Sequence, residues 1–223
     1  MGWIEFTIAF AVFFLSHSLP VRSPLWPMLD RMLGRRGFTI AYSLLSLGVL
    51  TWLIVAAGRA PYVPLWNWAP WQSHLALILM AVACVILAMA LGRPNPFSFG
   101  GMRNEAFDPQ RPGIVRLTRH PLLLALALWS LAHLIANGDV AHVLLFGVFA
   151  AFAAFGGRLV ERRKRRGLGQ NWEQRIAEVR HQPIRRVFSA KHRNDTFRIL
   201  GAGFLFVGLL WLHPYVIGVS PIP

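Results

Sequence analysis

The side chains in this sequence best able to do chemistry are its histidines. There are eight, against nine Asp and Glu residues, and several fall inside or at the ends of long apolar stretches. An ionisable group in such a setting is costly and is a functional candidate by default. His17 follows Phe10, Phe13 and Phe14, which on a helix form an aromatic wall along its own face. His133 shares a face with Trp129 and Asn137 and lies about 12 residues, roughly 18 Å, into an apolar segment that starts at Pro121. It is the deepest of the set. A neutral imidazole at either place has two uses: ligating a metal, or hydrogen-bonding a backbone carbonyl or a neighbouring helix. Spacing leaves both open.

His120 precedes His133 on the same predicted helix, and the two side chains point about 140° apart and lie about 20 Å apart along the axis. One small cofactor cannot take both as axial ligands. Between Arg119 and Pro121, His120 occupies a helix N-cap, where it either anchors the helix end or receives an anion together with Arg116 and Arg119. His74 and His213 fall at helix ends and read as interface anchors. Two histidines from separate helices, with no thiolate or carboxylate cluster, suit a haem iron better than zinc, because structural zinc wants four ligands and catalytic zinc usually three. With 16 Phe and 9 Trp the aromatic supply for a haem pocket is adequate. Composition and spacing permit haem without establishing it. The single cysteine, Cys84, reads as a small packing residue and forms no internal disulfide.

The elements that must position these groups are membrane helices. Of the 223 residues 55% are hydrophobic and 14% charged, where a soluble domain carries roughly 25% charged residues. The apolar residues come in blocks of about 20, the length that crosses about 30 Å of hydrocarbon. A soluble enzyme, a disulfide scaffold and a disordered tail are excluded. Spans are predicted at roughly residues 2–19, 38–57, 73–92, 121–136, 139–156 and 196–212. The first lacks a basic leader and a small-x-small cleavage site, so it is expected to be retained.

The net charge of +14 resembles a nucleic-acid signal until it is placed along the chain. The odd-numbered loops hold 21 of the 23 Lys and Arg residues, twelve of them between Arg158 and Arg193. By the positive-inside rule these loops are cytoplasmic and both termini face the other side. The run Arg162–Arg166 then reads as a topology anchor on anionic headgroups, with no nucleic acid as partner. Within this basic loop, residues 157–195, Trp172, Ile176 and Val179 form the apolar face of a short amphipathic helix expected to lie on the cytoplasmic membrane surface and to stop before Pro183. Pro20 is expected to end the first helix and Pro121 to start the fourth. The prediction is therefore all-α: a single-domain integral membrane helical bundle of six transmembrane helices, N-out and C-out, multi-pass in a bacterial inner (cytoplasmic) membrane.

The stretch GIVRLTRHPLLLALALWSLAHLIANGD resembles the signature of the NnrU family and of its plant relative, zeta-carotene isomerase. In that pattern Arg-His-Pro opens a membrane helix, here Arg119, His120 and Pro121, and Trp-x-Leu-Ala-His follows, here Trp129, Leu131, Ala132 and His133. HSLPVRSPL from His17, RRGFTIAYSLLSL, GQNWEQRIAEV and LHPYVIGVS extend the likeness over most of the chain. The resemblance implies an integral membrane protein holding haem b, with His17 and His133 as metal-binding, catalytic ligands of the haem iron and His120 as the substitute. It implies an activity like that of the isomerase, turning a central cis double bond of zeta-carotene trans. Partners are then membrane lipid and an apolar polyene, with Trp129 and Asn137 beside the cofactor and Arg116, Arg119 or Arg22 near the haem propionates. The plant pattern has a cysteine where this chain has Ser130, so no role of that thiol carries over.

Two other classes stay open. The bacterial family is linked by resemblance to denitrification, which implies a non-enzymatic accessory or sensor that binds nitric oxide at the same haem. Arg-His-Pro with Glu161 and a Gly-x-x-Trp segment also resembles membrane methyltransferases of the isoprenylcysteine and phospholipid type, in which His120 and Glu161 would hold S-adenosylmethionine. The Leu122, Leu123 and Leu124 that follow Arg-His-Pro depart from that second pattern.

Overall fold

A computed structural model describes residues 2–22, 26–188 and 193–223, without the side chains of 18–22, 26, 27, 30, 35, 36, 193 and 194. Seven α-helices follow in order: α1 (Gly2–Arg22), α2 (Trp26–Arg59), α3 (Pro70–Ala90), α4 (Pro121–Ala136), α5 (Val140–Leu168), α6 (Asn171–His181) and α7 (Arg193–Val216). Three 3-10 turns lie at Asn104–Ala106, Gly113–Arg116 and Ile184–Val187. Among the described residues there is no strand beyond an isolated bridge between Pro64 and Asp139. Four helices are long and apolar enough to cross a membrane: Gly37–Arg59 of α2, α3, α5 and Asp195–Val216 of α7. Two more apolar helices are shorter, Gly2–His17 of α1 and Pro121–Ala136. At 1.5 Å per residue 16 residues reach about 24 Å. The exposed side chains fit lipid contact: only 6% of the apolar window of α7 is buried, and Phe204 and Trp211 are 80% and 66% exposed.

Several helix ends differ from the sequence prediction. Pro20 does not stop α1, which runs on to Arg22; a proline removes one backbone donor, which a helix tolerates in its last turn more easily than in its middle. The predicted first loop is largely helical, because α2 starts at Trp26 and is interrupted only at Gly34, whose φ of 64° a β-carbon would disfavour. α5 continues three turns beyond the predicted residue 156 into the basic run, whose Leu, Glu, Lys and Arg residues are good helix formers. It stops at Gly169, which has φ 55° and donates its amide to Arg165 O at 3.0 Å.

The chain divides into two compact units, Met1–Trp66 with Asp139–Leu145, and Asn67–Gly138 with Phe146–Pro223. In the first, α1 packs on α2 with Phe6, Ala9, Leu53, Ala56 and Ala57 buried. Gly2 lies so close to the Arg59 carbonyl that no β-carbon fits. Glu5 Oε1 accepts from Trp52 Nε1 and Arg59 Nη1, both at 3.3 Å. In the second unit α3 packs on α4 and α7. The apolar face of α6 lies where the sequence predicts it, yet protein covers it: Trp172, Ile176 and Val179 are buried against Phe97, Phe107 and Val115 of the α3–α4 connection. Trp172 and Phe107 each meet the Phe97 ring edge to face, with centroids 5.4 Å apart.

Candidate functional site

His17 belongs to the first unit. Its Nδ1 lies 2.8 Å from Phe13 O, its ring stacks on Phe13 at 4.1 Å, and Tyr42 of α2 meets it at 6.0 Å. A carbonyl oxygen only accepts, so in the neutral ring the proton sits on Nδ1 and the lone pair on Nε2.

His133, in the second unit, is prepared in the same way. Its Nδ1 donates to Trp129 O at 2.8 Å, and its ring stacks on Phe146 at 4.8 Å and tilts against Trp129 at 5.1 Å. Trp129 packs edge to face on Phe146 and Phe149 of α5. The predicted cofactor-side residue Asn137 closes the helix: its backbone and side-chain amides both donate to His133 O, at 3.0 and 2.8 Å. Beside His133 lies a ring that sequence spacing treats only as an anchor. His213 of α7 stands 6.4 Å away at 26° to it, with its own Nδ1 donating to Val219 O at 2.6 Å. Ser130 is fully buried and donates to Leu126 O at 2.7 Å.

The most completely bonded polar group is elsewhere. His120 is the N-cap of α4 but makes no side-chain cap. Its Nδ1 lies 3.0 Å from Ser98 Oγ and its Nε2 3.0 Å from Glu161 Oε1. Arg119 donates to the same oxygen through Nε at 2.6 Å and Nη2 at 2.5 Å. The anion that His120 and Arg119 receive is thus the protein's own Glu161, delivered by the long C-terminal extension of α5. Gly157, one turn earlier, makes room: a β-carbon there would come 3.0 Å from His120 Cδ2. Ser98 is 1% exposed, so it anchors the ring and offers no reachable nucleophile. Asn95 Nδ2 donates to Arg119 O at 3.0 Å. Arg116, grouped with Arg119 from the sequence, instead donates through Nε to Gln182 O at 2.5 Å and ties the α3–α4 connection to the end of α6. A cavity of about 360 Å³ lies beside this cluster, lined by Arg116, Thr118, Arg119, His120 and Arg180. The Arg22 side chain lies outside the described residues.

Among the described residues no three His, Cys, Asp or Glu side chains converge on a point that could hold a metal ion.

A model of the NnrU protein family matches residues 5–221. The chain belongs to the NnrU family. Neither a curated protein nor a solved structure matches it. In this NnrU-family chain the Arg-His-Pro segment opens α4 as the sequence predicts, with Pro121 at its first position. Only the methyltransferase-like reading of the sequence paired His120 with Glu161. No reading found Ser98 or Asn95, because each is joined to its partner across more than 20 residues of sequence.

Proposed function

We propose that this NnrU-family protein is a haem b-binding integral membrane protein, in which His133 or His17 would hold the haem iron. We further propose that it acts as a cis-trans isomerase on an apolar polyene such as zeta-carotene. One observation carries the reading: the His133 imidazole, beside the rings of Trp129 and Phe146, is held through Nδ1 by Trp129 O in the tautomer that puts the lone pair on Nε2. His17 carries the same tautomer against Phe13. Bound haem would supply an iron able to interact with the π electrons of a double bond without net oxidation of the substrate. The Trp129 carbonyl would fix the direction of the ligand nitrogen, and the aromatic side chains would exclude water and align an apolar chain. Arg116 and Arg119 keep N–H donors beyond those bonded to Gln182 and Glu161, and with Arg22 they are the proposed partners of the propionates.

The test is an absorption spectrum of the detergent-purified protein, oxidised and reduced, with the haem extracted and counted. About one haem b per chain is expected, and the variant that removes the ligand, His133→Ala or His17→Ala, should lose the Soret band or shift it. Full haem and unchanged spectra in both variants would refute the ligand assignment. If a haem-loaded protein binds nitric oxide but leaves cis zeta-carotene unconverted, the function is that of a denitrification accessory or sensor and not an isomerase.

A second reading draws on the 3.0 Å contact between His120 and Glu161 beside the cavity of about 360 Å³. It makes the protein a membrane methyltransferase with S-adenosylmethionine at that cavity. Saturable binding of S-adenosylmethionine to haem-free protein, abolished in Glu161→Gln, would establish it, and its absence would remove it.

We also propose that α1 and α4 cross the membrane with the four longer spans, placing the basic odd-numbered loops on the cytoplasmic face of a bacterial inner membrane and both termini opposite.

A further inference from the structure

The α3–α4 connection builds a second cavity, of about 380 Å³, that the haem reading does not use. Four guanidinium groups line it: Arg93 at its start, Arg103 and Arg111 in its middle, and Arg198 from α7. Two carboxylates face them, Asp195 paired with Arg93, and Asp108 at 3.9 Å from Arg111. Two positive charges are left over. Burial, and after it the neighbouring charge of Arg198, hold the Arg93 guanidinium below the ordinary arginine range. Arg198 is fixed by the end of α3, donating to Ala88 O and Leu91 O at 2.6 and 2.7 Å.

The backbone around the cavity is specialised. Gly92, Gly100 and Gly113 line it with φ of 69°, 78° and 56°, and a β-carbon on Gly113 would come 3.0 Å from Arg93 Nη1. Arg103 is the one non-glycine residue among those described with positive φ, at 51°. Strain of this kind clusters at active sites and ligand clamps, and Arg103 is exposed where it lines the cavity. Ala90, Ile114 and Leu122 line it, as does Phe99, which is 43% exposed. These residues stand where α3 ends and α4 begins, the level at which a membrane helix leaves hydrocarbon.

We propose that this cavity binds a phosphate group carried on an apolar chain, the phosphate between Arg103, Arg111 and the inner arginines and the chain along Phe99 and Leu122. Guanidinium groups match phosphate oxygens with paired donors, and basic pockets at the ends of membrane helices take anionic headgroups.

The test is native mass spectrometry of the full chain released from detergent, with phosphatidylglycerol and phosphatidylcholine of identical chains as probes. One phosphatidylglycerol should be retained in preference to phosphatidylcholine. Arg103→Gln with Arg111→Gln should weaken that retention about tenfold, whereas Arg185→Gln with Arg186→Gln on the exposed Ile184–Val187 turn should not. Arg103→Gly separates strain from binding, because it should match or exceed wild type in thermal stability and still bind phosphatidylglycerol less well. Displacement of the lipid by inorganic phosphate would assign the same chemistry to a soluble phosphate source. No preference over phosphatidylcholine, or equal retention by the Arg103/Arg111 variant, would overturn the proposal.

Discussion

Glu161 Oε1 accepts from three donors on two neighbouring residues, Arg119 and His120. One carboxylate therefore holds the chain that enters α4 against the C-terminal extension of α5. Removing it takes the partner from the Arg119 guanidinium and from His120 Nε2, while His120 Nδ1 keeps Ser98. Because Glu161 is 29% and Arg119 35% exposed, water recovers part of the loss, and Glu161→Ala should cost about 1–2 kcal/mol. Thermal unfolding in detergent measures it, and an unchanged melting temperature would show that the cluster carries no stability. The same variant separates the functional readings. The haem spectrum should survive Glu161→Ala, because His17 and His133 take no hydrogen bond from it, whereas a methyltransferase would lose its cofactor.

At the scale of elements, the second unit depends on two close fits. Gly157 lets α5 approach His120, so Gly157→Ala sets a helix-propensity gain of up to about 1 kcal/mol against a tight contact and should be nearly neutral. Gly157→Val adds branching at the same point and should destabilise by about 2 kcal/mol and release His120 from Glu161. Equal melting temperatures for the two variants would contradict the close approach. The other fit is α6 on the α3–α4 connection. Trp172 is 4% exposed against Phe97 and Phe107, so Trp172→Ala should cost about 3–5 kcal/mol locally. Limited proteolysis after Arg175 and Arg180 of α6 reads this directly, since α6 must leave its seat to be cut there. Cleavage no faster than in wild type would mean that Trp172 does not hold α6.

For the whole molecule the testable quantity is orientation. With the basic loops on the cytoplasmic side, alkaline phosphatase fused after Pro223 should be active and a fluorescent protein at the same point dark, while fusions after Leu168 should give the reverse. Activity of both phosphatase fusions, or of neither, would break the six-span arrangement. The shorter α4 is where an odd number of spans would arise, because its 16 residues reach less than the hydrocarbon thickness.

The helices themselves were legible in the sequence, since hydropathy, a proline at a helix start and a glycine at a helix end act over a few residues. α4 runs from Pro121 to Ala136 as predicted, and the amphipathic helix carrying Trp172, Ile176 and Val179 exists as Asn171–His181. The tautomers of His17 and His133 were within reach too, because each depends on a carbonyl four residues earlier on its own helix. Which surface covers Trp172, which anion meets Arg119, and which ring stands beside His133 were decided only by tertiary structure. Glu161 lies 42 residues from Arg119 and 41 from His120, and Arg116 reaches Gln182 across 66. Pairings at such separations follow from how far α5 continues past its apolar part and from the close approach at Gly157. Local propensity and periodicity carry no information about either.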